Sequence, residues 1–204
     1  MNIGIPVYDG VDLLDVAGPL EMFHWAGYQT QVVAEQAGPV TTNTGLVIQA
    51  AGFDEANAWD VLWTPGGNPD ALNAMLGPSG VGYRAFLQKQ AADARWICSV
   101  CEGAILLADT GLLNGFTITT HWAFIPCILQ RYPEVKLADG HPRFVLDSNR
   151  LTGGGISSGL DEALELIRLI SGEAAAVQCQ QTTQYYPDPP VSSTIPNTVS
   201  CPLD

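Results

Sequence analysis

A chain of 204 residues, 47% hydrophobic and 14% charged, is long enough for one domain that buries about 70% of the surface its unfolded form exposes, and too apolar to be a disordered segment. Its 21 acidic residues against 8 basic ones leave a net charge of −13 with neither sign in a run, a surface that repels phosphate backbones and excludes nucleic acid as a partner of this chain alone. No stretch approaches the ~18 apolar residues that a membrane span requires.

Residues 2–7 (Asn-Ile-Gly-Ile-Pro-Val) read as a first strand, since a basic leader and a long apolar stretch are both missing; the expected location is the cytoplasm. Residues 31–34, 61–64 and 96–99 are further short apolar runs bounded by turn residues, the pattern of buried parallel strands. Between the last two, residues 82–94 place Tyr83, Phe86, Leu87, Ala91 and Ala94 on one helical face. Residues 144–153 read as a hairpin turning through Asp147, Ser148 and Asn149. A helix follows on Leu160, Ala163, Leu164 and Ile167, with Ser158 and Asp161 spaced like a cap. The alternation predicts an α/β sandwich, a mostly parallel sheet between two helical layers. It spans residues 1–186, and a Pro- and Ser-rich tail, 187–204, is read as extended or disordered.

Five cysteines, Cys98, Cys101, Cys127, Cys179 and Cys201, are odd in number and irregular in spacing, so no structural disulfide is expected in a reducing compartment. Cys98 and Cys101 stand three apart. A redox pair would have both at a helix start, whereas Cys98 falls inside a strand. A zinc site would need a second pair, and His24, His121 and His141 are scattered, so no metal is expected. Ser99-Val100-Cys101-Glu102-Gly103 instead has the form of a nucleophile elbow: small residues flank a cysteine that leaves a strand and opens a helix running through Ala108. There the helix amides would lower the thiol pKa and leave it exposed at the sheet edge. Two small buried core cysteines are the plainer alternative.

Three more stretches bear on this choice: Leu13-Leu14-Asp15-Val16-Ala17-Gly18-Pro19-Leu20-Glu21-Met22-Phe23, Thr64-Pro65-Gly66-Gly67, and Thr119-Thr120-His121-Trp122. With the elbow and the glycine-rich segment 151–161, they resemble the DJ-1/PfpI superfamily, and within it the isonitrile hydratase (isocyanide hydratase) branch. The resemblance runs in one register from Asn2 to about Pro190. It implies a flavodoxin-like, class I glutamine-amidotransferase-like three-layer sandwich, a homodimer, and no metal or organic cofactor. It matches Cys101 to the nucleophile, Asp15 to its acidic partner, and the amides of Gly67 and Glu102 to an oxyanion hole.

The residues themselves support these assignments to different degrees. Asp15 lies among Val11, Leu13, Leu14, Val16 and Ala17, where a carboxyl is desolvated and keeps its proton, yet it could equally cap a helix opened by Pro19. Asp12 and Glu21 are rival acids assigned to a solvated surface. Gly66 and Gly67 leave a strand at the sheet's C-terminal edge, a place for close approach to a ligand or for an ordinary turn. His121 is either a base beside Cys101 or part of the site wall. Glu102 stands where many members of the branch have threonine, and PfpI-type peptidases have histidine; a carboxylate facing the sulfur would raise the thiol pKa.

The resulting expectation is a cysteine-dependent enzyme that hydrates a small isonitrile to the N-substituted formamide. The alternatives are a glyoxalase- or deglycase-like activity on small carbonyls, and a ligand- or redox-sensing domain without its own DNA-binding region.

Overall fold

In the computed structural model, which describes residues 1–203, the elements run β1 (Asn2–Pro6), α1 (Leu13–Trp25), β2 (Gln29–Ala34), β3 (Gly38–Thr41), β4 (Val47–Gly52), β5 (Val61–Thr64), α2 (Pro69–Leu76), α3 (Val81–Ala91), β6 (Trp96–Ser99), α4 (Gly103–Asp109), β7 (Thr117–Ile118), α5 (Ile125–Arg131), β8 (Lys136–Leu137), β9 (Phe144–Asp147), β10 (Arg150–Gly153), α6 (Ser158–Ser171) and α7 (Glu173–Thr183). Eight strands form one sheet in the order β3-β4-β2-β1-β5-β6-β10-β9. From β4 to β10 every neighbouring pair is parallel; β3 and β9 add antiparallel edges.

The continuous apolar runs became the middle of this sheet. β1, β5 and β6 are buried on both faces because helices cover each side. Helices α1, α6 and α7 pack together as one layer, and α2, α3, α4 and α5 as the other. Trp63 on β5, Phe23 on α1 and Tyr83 on α3 are the largest fully buried side chains, so the core is thickest around β5. The expected hairpin is β9-β10, with Ser148 in the left-handed conformation at its tip (φ 58°).

The three-layer, mostly parallel sandwich agrees with the sequence expectation; several local expectations do not. α1 begins at Leu13 rather than Pro19, which lies inside it, and Asp12, without a side-chain capping bond, occupies the capping position. Asp15 is therefore in the first turn and caps nothing. α6 starts without a side-chain cap; Asp161 instead accepts from Arg143 Nε at 2.9 Å and from the Tyr185 hydroxyl at 3.1 Å.

The tail is pinned. Cys127 in α5 and Cys201, 74 residues apart, form a disulfide against the expectation of none. Leu203 is buried, and its carbonyl accepts from Arg131 Nη2 at 2.9 Å. Among the described residues, no helix is long and apolar enough to cross a membrane.

Candidate active site

Between β6 and α4 the chain turns through Val100 and Cys101, and Cys101 takes a left-handed backbone conformation (φ 57°). A non-glycine residue is costly there and persists only when its surroundings hold it. The Cys101 amide donates to Gly154 O at 2.8 Å, and the Cys101 carbonyl accepts from Thr120 Oγ1 at 2.8 Å. Gly103 lets α4 start immediately: a Cβ built on it would lie 2.0 Å from Thr64 O. These features are those of an elbow.

The sulfur is fully buried, not exposed. Three carboxyl groups surround it. Donor atoms of Asp12, Asp15, Cys101 and Glu102 lie within 4.8 Å of one another, and Sγ is 3.8 Å from Asp12 Oδ2. Asp12 belongs to this set rather than to a solvated surface. Its Oδ1 is held by Asn43 Nδ2, and Asn43 Oδ1 accepts from Leu13 N at 3.3 Å. Glu21 is exposed and accepts from Trp25 Nε1.

Asp15 is fixed from both ends. Its Oδ2 accepts from the Gly66 amide at 2.9 Å, and its carbonyl accepts from Trp63 Nε1 at 3.1 Å. Its Oδ1 is buried with no hydrogen-bond partner. Burial, reinforced by Glu102 and Asp12, holds its pKa well above the carboxylate range and favours its protonated form. Burial also raises Asp12.

Glu102 folds its side chain back over the loop. A Cβ on Gly66 would lie 2.3 Å from its Oε2, so only glycine leaves room for this carboxyl. Burial pushes it up to about 7, while the amides of Glu102 itself and of Gly67 favour its charged form. Its Oε2 is buried without a hydrogen-bond partner, in the place where the two amides were expected to form an oxyanion hole.

The thiol departs from expectation for the same reason. Burial, then Asp15 and Glu102, raise its pKa well above the ordinary value, outweighing any pull from the start of α4. The sulfur, as a thiol, rests in an acidic cage. His121 gives the cage no positive charge: burial lowers its pKa, Nδ1 accepts from Ala123 N at 3.3 Å, and the same atom is 3.7 Å from Glu102 Oε1.

A cavity of about 330 Å³ opens beside the elbow, lined by His121, Trp122, His141, Gly155, Ile156 and Ile195 among others. Two of its lining residues, Thr120 and Gly154, are hydrogen-bonded to the Cys101 backbone, which places the cavity directly against the elbow. Residues beyond sequence reach are Asn43, His141 and Ile195. Asp12 had a signal: Asp12 and Asp15, three apart at a helix start, share one side of the first turn. The same four donor groups, Asp12, Asp15, Cys101 and Glu102, are the set that could hold a divalent cation in place of their protons.

Fold and elbow together define an α/β sandwich with a cysteine at the C-terminal edge of its sheet. The chain belongs to the DJ-1/PfpI family, whose model matches residues 1–171. It is 34% identical over 202 residues to the isonitrile hydratase of Pseudomonas putida, covering 97% of this chain and 84% of that protein. It is 26% identical to the HTH-type transcriptional regulator CdhR of Pseudomonas aeruginosa, over 87% of this chain but 52% of the regulator. Among solved structures, a ThiJ/PfpI family protein from Pseudomonas syringae superposes with a TM-score of 0.84 at 34% identity, covering 93% of this chain and 77% of that one. Drosophila melanogaster DJ-1beta superposes at 0.77 with 18% identity, over 90% of this chain and 97% of that one, a likeness of fold alone.

Proposed function

We propose that the chain is a cysteine-dependent hydratase that converts a small isonitrile, R-N≡C, to the N-substituted formamide. The observation that carries this reading is a buried thiol enclosed by three buried carboxyls. The terminal carbon of an isonitrile must receive both a nucleophile and a proton, and this cage holds sulfur and protons together.

In the first step the Asp15 carboxyl protonates the carbon as Cys101 Sγ bonds to it, and the thiol proton passes to Asp12, its 3.8 Å neighbour. The product is a thioimidate, R-N=CH-S-Cys101. Water then adds to that carbon, losing a proton to the Asp15 carboxylate, while Asp12 returns its proton to nitrogen. Collapse of R-NH-CH(OH)-S releases the formamide, and the hydroxyl proton returns to sulfur. Reactants and products balance as one isonitrile and one water to one formamide, and both acids end as they began.

Glu102 separates this reaction from the carbonyl alternative. Addition of a thiol to an aldehyde or ketone places charge on oxygen in the first step and needs free amide donors there. The Glu102 carboxyl packs against the Gly66–Gly67 turn, where a Cβ on Gly66 would lie 2.3 Å from its Oε2, and so fills space that a developing oxyanion would need. Addition to an isonitrile puts no charge on oxygen, because the substrate has none. A glyoxalase-like activity would require the Glu102 side chain to swing out. By likeness to its relatives the chain is further proposed to work as a homodimer in the cytoplasm, without a metal or organic cofactor; light scattering at twice 21.7 kDa tests the assembly.

The deciding assay offers aliphatic and aromatic isonitriles and methylglyoxal separately, with products identified by mass. Formamide from the isonitriles, with little turnover of methylglyoxal, is the expected result. Lactate from methylglyoxal with no formamide would replace this reading by the carbonyl one.

A further inference from the structure

Among the described residues after Thr183, 184–203, there is no regular secondary structure and most are exposed, including Val191 and Val199. The segment nonetheless returns to the body of the molecule at two places. Ile195 forms part of the cavity wall beside His121, Trp122 and Ile156, and Cys201 is bonded to Cys127. Ile195 is 47% exposed, so its own burial is a weak anchor for a segment with so many free dihedrals. The firm anchor is the far end: the disulfide, the buried Leu203 side chain and the Arg131 bond to Leu203 O. Cys127 and Arg131 both belong to α5, which continues directly from the short turn of helix Trp122–Phe124. The clasp and the wall it holds are therefore close along the chain.

We propose that the C-terminal segment is a strap that completes the substrate cavity, with Ile195 limiting the size of the group admitted and the Cys127–Cys201 disulfide holding Ile195 in place. Treating the cavity as the seat of the R group rests on the hydratase reading; the strap as gate to Cys101 does not. Cys201 is partly exposed and Cys127 is buried, so a dithiol reductant attacks at Cys201. Exchange yields two protein thiols and one oxidised reductant. The freed strap leaves the cavity, which then admits bulkier groups.

The test compares wild type, Cys201→Ser and Ile195→Ala for the rate at which Cys101 is alkylated by N-ethylmaleimide and by the bulkier N-benzylmaleimide, with the labelled peptide identified by mass. Both variants are expected to narrow the preference for the smaller reagent by roughly tenfold, the scale of a pocket wall moved by a few methylene groups. Ile195→Trp should widen it. Hydrogen exchange at residues 119–124 and 154–158 gives a second reading, expected to quicken in Cys201→Ser. Unchanged reagent preference together with unchanged exchange overturns the strap, as does non-reducing peptide mapping that finds Cys127 and Cys201 unlinked. If reagent preference shifts but no isonitrile is hydrated, the hydratase reading alone fails. If isonitriles are hydrated with an R-group profile unmoved by Ile195→Ala, the strap alone fails.

Discussion

Two regions of the molecule use cysteine in opposite ways. At the elbow, Cys98 and Cys101 stand three residues apart yet remain separate free thiols, one inside β6 and one on the turn beyond it. In the α2–α5 layer, Cys127 of α5 and Cys201 of the tail, 74 residues apart, are joined. Spacing in the sequence governs neither outcome. What decides is where the backbone aims each sulfur: the strand and the left-handed turn direct Cys98 and Cys101 into different surroundings, while the returning tail brings Cys201 against α5.

The contrast within the elbow pair is broken most severely by Cys101→Ser, which is expected to lower isonitrile turnover on the order of 10⁵-fold, the scale of removing a covalent nucleophile. A steady-state assay with purified, folded protein checks it. Turnover near wild type would move the chemistry away from the elbow.

The acid cage is the next point of pressure. Glu102 is raised from its ordinary 4.5 to about 7 in the folded protein, so between those values the folded state binds more protons than the unfolded one. Stability from this group is fully present below about pH 4.5, falls as pH rises through the window, and is lost above about 7; the change is about 3 kcal/mol. Asp15 and Asp12, also raised, act in the same direction. His121, lowered, opposes them as pH falls below its ordinary 6.5. Denaturant titrations at pH 5 and pH 8 should show wild type less stable at pH 8, and Glu102→Gln should lose much of that difference. A pH-independent difference between the two proteins would refute the burial of an ionisable Glu102.

Asp15→Asn should lower turnover about 10²-fold, since an amide cannot exchange the carbon's proton. The fold should survive, because the asparagine oxygen can still accept from the Gly66 amide. Circular dichroism with kinetics distinguishes loss of chemistry from loss of structure. The smallest effect belongs to the other cysteine of the pair. Cys98→Ala deletes one buried sulfur in the strand and should cost about 1 kcal/mol of stability with turnover little changed.

Legibility in the sequence followed the local physics. β1, β5 and β6 could be read because strands buried on both faces are continuous apolar runs. β3 escaped because this edge strand carries Gly38 and Pro39, which read as a turn, and β4 because, though paired on both sides, it is only partly buried and lacks a continuous apolar run. The elbow could be read from its small flanking residues, but burial of its sulfur could not, since Asp12, Asn43 and Gly154 arrive from distant segments. Glu102 was visible as a departure from the family pattern, whereas its return over Gly66 depends on the register of β5 against β6. The disulfide and the Ile195 contact depend on where an unpatterned tail travels, which periodicity does not encode.

The acidic cage also bears on how long the nucleophile lasts. Peroxides and other two-electron oxidants attack thiolate, and a sulfur whose pKa is held well above the ordinary value presents very little of it at neutral pH. Burial removes most of the remaining access. Oxidising equivalents that keep the Cys127–Cys201 clasp closed can therefore coexist with a reduced Cys101 in the same molecule. The expected consequence is slow oxidation of Cys101 by peroxide, with its sulfinate, followed by mass, accumulating more slowly than in a variant whose carboxyls are removed.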